Sequence, residues 1–327
     1  MLKTGTNLIK GEKFKAYRIE LSILAVFVIV FALFFIGNPR VFTGFDIYYS
    51  FMSTIPFFGI MALAMTLVVT LGEMDLSFPS VLAFSSWIFG MVFVSTGSIL
   101  LAVIACLATG VVAGLLNALL IVKIGIPSLV TTIGTQFFFR GLVNVCASGE
   151  GISLVEAKET FIYKICVGRI GGLIPAQAIW MVALAIGFWL IFNRHRFGSH
   201  VSFVGDNKDS AIMMGINVNR VRTLVFIQMG FFAALAGILS NLEVTYFWPS
   251  QGQGYMLTTL AAVFIGGTSV FGGKGTMIGT FIGTLIIGSL EAGIIAIGLD
   301  GFWIQVIYGL IIMISVSIYA LLLKRRD

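Results

Sequence analysis

The chain has 327 residues, of which 58% are hydrophobic and only 10% charged, with a formal net charge of +6. Too little polar surface remains to cover a water-soluble globule, which excludes an ordinary soluble enzyme or binding module. The basic excess points to membrane topology rather than nucleic acid, because lysine and arginine collect at the cytoplasmic ends of membrane spans.

Lys3, Lys10, Lys13, Lys15 and Arg18 form a basic arm over 1–20, followed by an apolar run over 21–37. No small-x-small cleavage site follows that run, and Asn38-Pro39-Arg40 reads as a turn, so a retained span is expected rather than a cleaved leader. Further spans are expected over 48–71, 79–95, 99–122 and 127–147. After an external loop over 148–173, five more are expected over 174–192, 223–242, 255–271, 277–297 and 302–323. Apolar runs of about 20 residues match helices crossing about 30 Å of hydrocarbon, and their continuity favours helices over a barrel. The expected fold is an all-α integral membrane protein of about ten transmembrane helices, forming a single domain over 1–327.

With the N-terminus inside, fifteen of the 20 lysines and arginines fall on cytoplasmic segments, notably the loop over 193–222. Only Arg40, Lys158, Lys164 and Arg169 fall outside, and Arg140 lies within a span, so both termini are expected to be cytoplasmic. Five spans on each side of the 148–173 loop suggest two inverted five-helix repeats, a common plan among transporters. Gly110 and Gly114 in the fourth span echo Gly279 and Gly283 in the ninth, although such pairs also arise in membrane helices without duplication.

No catalytic or metal constellation is visible. Cys106, Cys146 and Cys166 are scattered, and the two histidines, His195 and His200, form no metal-ligand spacing. Gly273-Lys274 invites a phosphate-loop reading, but Thr268 and Gly275 stand where that motif needs glycine and Ser or Thr. If transport is driven by ATP, the ATPase is another polypeptide.

Two segments interrupt the apolar pattern. Gly266-Gly-Thr-Ser-Val-Phe-Gly-Gly-Lys-Gly-Thr276 is too rich in glycine for a plain span and reads as a sharp bend, though it also fits an inter-helix turn. The stretch around 205–216 reads as a short helix capped by Asn207 or Asp209 and closed at Gly215. It leaves Ile212, Met213, Met214 and Ile216 outside the bilayer, either as a docking knob for a partner groove or packed on the protein's own helices.

Three ordered motifs carry a resemblance to a known family. Gly205-Asp-Asn-Lys-Asp-Ser-Ala-Ile-Met-Met-Gly215-Ile216 resembles the G-N-N-x-x-A-A-x-x-S-G-I loop of ribose- and xylose-type ABC permeases. The 266–276 run resembles their G-G-T-S-x-F-G-G-x-G-T signature, and Leu71-Gly-Glu-Met-Asp75-Leu-Ser77 resembles their G-x-D-L-S segment. The chain departs from that pattern at Phe78-Pro79 (usually Val-Gly), at Glu73 (usually glycine) and at Met214 (usually serine).

The resemblance implies a permease of the bacterial inner membrane, paired with a second copy or a paralogue. It also implies a cytoplasmic ATP-binding subunit carrying ATP and magnesium, and an external solute-binding protein that delivers a monosaccharide or similar small polar solute. Contact with the ATPase falls to Gly205, Asp206, Asn207, Asp209, Ala211, Ile212, Met213, Met214, Gly215 and Ile216. Candidates for the translocation path are Glu73, Asp75, Ser77, Asn117, Gln136, Asn144, Thr268, Ser269 and Glu291, since ionisable or polar groups in spans line paths or bond between helices. The alternatives are an ion-coupled secondary transporter titrating on Glu73, Asp75 or Glu291, and an ABC permease for nucleosides or branched-chain amino acids.

Overall fold

The computed structural model describes residues 18–324, so most of the expected arm over 1–20, and Arg325 and Arg326, lie outside the described residues. The long helices are α1 (Arg18–Gly37), α3 (Phe45–Thr70), α4 (Phe78–Thr96), α5 (Ile99–Ala118), α6 (Ser128–Ala147), α8 (Ala176–Arg194), α11 (Val218–Val244), α13 (Met277–Ala296) and α14 (Phe302–Lys324). Between them sit the short helices α2 (Pro39–Thr43), α7 (Phe161–Val167), α9 (Arg196–Asp206), α10 (Lys208–Met213) and α12 (Tyr255–Ile265). Each of the expected spans contains a helix, and among the described residues 7 helices are long and apolar enough to cross a membrane. Val112, Phe137, Val145 and Ile186 are exposed on the outer faces of these helices, as lipid-facing side chains are.

The eighth expected span, 255–271, stops at Ile265. Gly267, Gly272 and Gly273 take φ of 79°, 83° and 74°, a left-handed backbone that ends a helix, so the remainder becomes a folded turn. The surviving 11 residues of α12 reach about 16 Å at 1.5 Å per residue, half of a hydrocarbon core. The expected external loop is also more structured than a loop. Its β1 (Ile152–Ser153) pairs antiparallel with β4 (Tyr246–Phe247), which follows α11, and its β2 (Arg169–Ile170) pairs antiparallel with β3 (Ile174–Pro175), just past the loop's end.

Because α11 is continuous, residues 217 and 245 mark opposite ends of the bundle. Arg194, Arg196, Lys208, Arg220, Arg222 and Lys274 share the end of residue 217, the basic end, while β1 and β4 lie at the other. The central α3 is the most enclosed helix, with an uninterrupted buried run from Ile55 to Thr70. The glycine pairs noted in the sequence do equivalent packing work. A Cβ on Gly110 would stand 2.3 Å from the Gly230 carbonyl oxygen of α11, and one on Gly283 would stand 2.2 Å from that of Ala262 on α12. Only hydrogen fits at either crossing.

Two non-helical segments enter the bundle from opposite ends. The stretch over 71–77 climbs from the basic end: the Met74 amide donates to Ser128 Oγ at 3.1 Å, and the Pro79 carbonyl accepts from Arg140 Nη2 at 3.4 Å. The Met74 carbonyl also accepts from Thr132 Oγ1 at 3.4 Å, so the chain advances along α6 from the level of Ser128 and Thr132 toward that of Arg140. The stretch over 245–254 descends from the other end, and the Pro249 and Gln251 carbonyls accept from Arg140 Nη1 at 2.9 and 3.1 Å. Arg140 thus satisfies backbone carbonyls freed by the 245–254 break, as irregular backbone inside a membrane protein requires, and ties them to the first turn of α4 at Pro79.

Candidate functional site

The sequence at 205–216 folds as its local chemistry dictates. The Asn207 side chain caps α10 by accepting from the Ser210 amide at 2.9 Å, and Gly215 closes the helix at φ 78°. Ala211 is fully buried and Ile216 nearly so, whereas Ile212, Met213 and Met214 point outward, with Met213 88% exposed. The expected apolar knob is therefore three residues wide. Ile216, expected with it, instead turns inward, because the tight turn at Gly215 lets its amide bond back to the Ala211 carbonyl at 3.0 Å.

The three motifs that lie far apart in sequence converge behind this knob, backbone against backbone. The Gly273 amide donates to the Thr70 carbonyl at 2.8 Å. A Cβ on Gly205 would fall 1.9 Å from that same carbonyl oxygen, and one on Gly272 would fall 2.6 Å from the Gly205 oxygen and 3.0 Å from Gly72 Cα. Asp206 Oδ1 lies beside Gly273, where a Cβ would meet it at 3.0 Å. The knob is mounted on a junction through which α3, the 71–77 segment and the 266–276 turn all touch.

A chain of hydrogen bonds runs from this segment into the bundle. Asp75 Oδ1 accepts from the Ser77 amide at 2.8 Å and the Ser77 hydroxyl at 2.6 Å. Asn117 Nδ2 donates to Ser77 Oγ at 2.8 Å, and Thr135 Oγ1 donates to Asn117 Oδ1 at 2.7 Å. All four residues are buried. The structure thus brings Asp75, Ser77 and Asn117 together, and adds Thr135, which the sequence reading missed because a threonine in an apolar helix carries no distinguishing signal.

The other path candidates are dispersed. The Glu73 carboxylate, 6% exposed, pairs with Arg222 at 2.7 Å and Lys208 at 3.2 Å. The Thr268 and Ser269 hydroxyls accept from the Thr276 and Phe271 amides within the glycine turn, at 3.4 and 3.2 Å. Gln136 is half-buried beside Thr135, while Asn144 and Glu291 are exposed on α6 and α13. At the far end Glu243 pairs with Arg169 at 2.5 Å, and Arg169 also donates to the Tyr49 hydroxyl. Hydrogen bonding to Glu243, then to Tyr49, raises the Arg169 pKa above its ordinary value.

A helical bundle with broken segments meeting at Arg140, a buried polar chain and an apolar knob on a basic end is the architecture of a multi-pass membrane transport subunit. The chain belongs to the family described as branched-chain amino acid transport system / permease component, whose sequence model matches residues 47–316. It is 34% identical over 258 residues to the ribose import permease protein RbsC of Bacillus subtilis, covering 79% of this chain and 80% of that protein. The Escherichia coli protein of the same name is 28% identical over 96% of this chain and 98% of its own length. The autoinducer 2 import system permease protein LsrD of Yersinia enterocolitica is 30% identical, covering 87% of this chain and 86% of that protein. No solved structure matches the chain. The resemblance to ribose-type ABC permeases drawn from the three motifs is borne out.

Proposed function

We propose that this chain is the translocating subunit of an ATP-driven importer, carrying a monosaccharide or similar small polar solute delivered by an external binding protein. The observation that carries the reading is the outward presentation of Ile212, Met213 and Met214 on a helix whose root is locked to two membrane segments by glycine contacts. Such a knob suits a groove on a cytoplasmic ATP-binding subunit, which would hold ATP and magnesium and pass its closure to the bundle as rigid-body motion. The basic end is then cytoplasmic by the positive-inside rule. Ten crossings in two inverted halves, facing a second copy or paralogue in the bacterial inner membrane, complete the reading. The breaks at 71–77 and 245–254, entering from opposite ends, support that inverted plan.

The sugar class rests on the ribose permeases among the relatives. Glu73, spent on two cations, offers no free proton site for ion-coupled transport. The test is purification of the tagged chain from its own membranes, followed by uptake into proteoliposomes. Recovery of a stoichiometric ATP-hydrolysing partner and ATP-dependent uptake is the expected result. Uptake driven by a proton gradient through the chain alone would overturn it.

A further inference from the structure

Glu73 stands in the 71–77 segment, three residues beyond Thr70, with its carboxylate almost fully buried. A buried carboxylate needs one cation to offset its desolvation, and Arg222, itself only 16% exposed at 2.7 Å, suffices. Arg222 is the fifth residue of α11 and so belongs to the body of the bundle. The second cation has a different origin. Lys208 is the first residue of α10, is half exposed, and reaches the same oxygen, Oε1, at 3.2 Å. One carboxylate therefore ties the knob-bearing helix to the climbing segment. That segment continues through Asp75 and Ser77 to Asn117, and through Pro79 to Arg140.

Resting on the importer reading above, we propose that Glu73 is a positioning residue that links motion of α10 to the 71–77 segment through Lys208, while Arg222 holds its charge in the bundle. The backbone contact with Thr70 is made by Gly205 near the end of α9, just before α10; it pushes when the two short helices move inward together, but it cannot pull, because no hydrogen bond spans that pair. The Glu73–Lys208 pair supplies attraction in the opposite direction.

The test is hydrogen exchange of the intact complex of this chain with its ATPase partner, read on peptides covering 71–77 and 205–216, with and without vanadate-trapped magnesium ATP. In the wild type both peptides should change protection on trapping. In Lys208→Met the 205–216 peptide should still respond while the 71–77 response falls about fivefold or more, the scale of a coupling energy between two sites. Glu73→Gln should behave alike, and Lys208→Arg should restore the response, which a purely structural role would not do. If Glu73→Gln fails to assemble, Lys208→Met decides, since it leaves the Glu73–Arg222 pair intact. An undiminished 71–77 response in Lys208→Met, or an equal loss in both peptides, overturns the link. A wild-type 205–216 peptide blind to the nucleotide instead overturns the importer reading.

Discussion

Gly205 approaches Thr70 so closely that a Cβ at position 205 would stand 1.9 Å from the Thr70 carbonyl oxygen. The obstacle is backbone on the most enclosed helix of the bundle, so it cannot yield as a flexible side chain would. Gly205→Ala should therefore cost about 1–3 kcal/mol, the usual range for overpacking, and lower the melting temperature by a few degrees. Gly187→Ala is the control, because nothing lies within 4 Å of a Cβ there. Scanning fluorimetry in detergent checks both, and equal melting of the two variants would contradict the tight junction.

A second prediction concerns the knob. Met213 is 88% exposed and makes no contact that the fold needs, so Met213→Asp should leave melting unchanged. On the proposal that this knob docks on the ATP-binding subunit, a charge at its centre should weaken binding by at least about thirtyfold, the equivalent of a 2 kcal/mol hot spot. Co-purification against a dilution series measures this, and undiminished recovery would remove the knob from the interface.

These features were unequally legible in the sequence. Apolar runs place a helix in every expected span because lipid solvation acts on each segment alone. The glycine turn over 266–276 stands out for the same local reason, though its φ angles shorten the span before it. The partners of Glu73 are invisible in that sense: Lys208 lies 135 residues away, and neither residue leaves a periodic trace of the other. The expected path grouping mixed three separate roles, since Thr268 and Ser269 brace a turn, Glu73 binds the knob helix, and only Asp75, Ser77 and Asn117 join into one chain. Residue type announces that a polar group in a span has work to do, but the partner that defines the work comes from tertiary structure.

The third prediction follows from the meeting of the two breaks. Arg140 donates to the carbonyls of Pro249 and Gln251, which lie outside any helix, and also reaches the Pro79 carbonyl in the first turn of α4. Arg140→Met keeps the aliphatic bulk but strands the Pro249 and Gln251 carbonyls, and each orphaned buried acceptor costs about 1–3 kcal/mol. Arg140→Lys should recover only part of the loss, because an ammonium lacks the planar fork that reaches two segments at once. Thermal melting should rank wild type above Arg140→Lys above Arg140→Met; a methionine variant as stable as the wild type would show the breaks to be held by packing alone.

The last prediction tests whether the buried polar chain acts as a unit. Asn117 is its middle, donating to Ser77 and accepting from Thr135, so it joins α4, α5 and α6 through one side chain. Asn117→Leu removes both bonds, yet Ser77 keeps Asp75 as an acceptor and Thr135 keeps the Thr131 carbonyl at 3.2 Å. The loss should therefore stay near about 1–2 kcal/mol rather than the sum of two orphaned groups. Ser77→Ala should cost more, because it deprives the buried Asp75 carboxyl of its hydroxyl donor and Asn117 of its acceptor together. In the double variant most of the Asn117→Leu cost should already have been lost with Ser77, giving a coupling of about 0.5 kcal/mol or more between the two sites. Strictly additive melting shifts across the four proteins would mean that the hydrogen bonds form independently and that no connected element runs from Asp75 into the bundle.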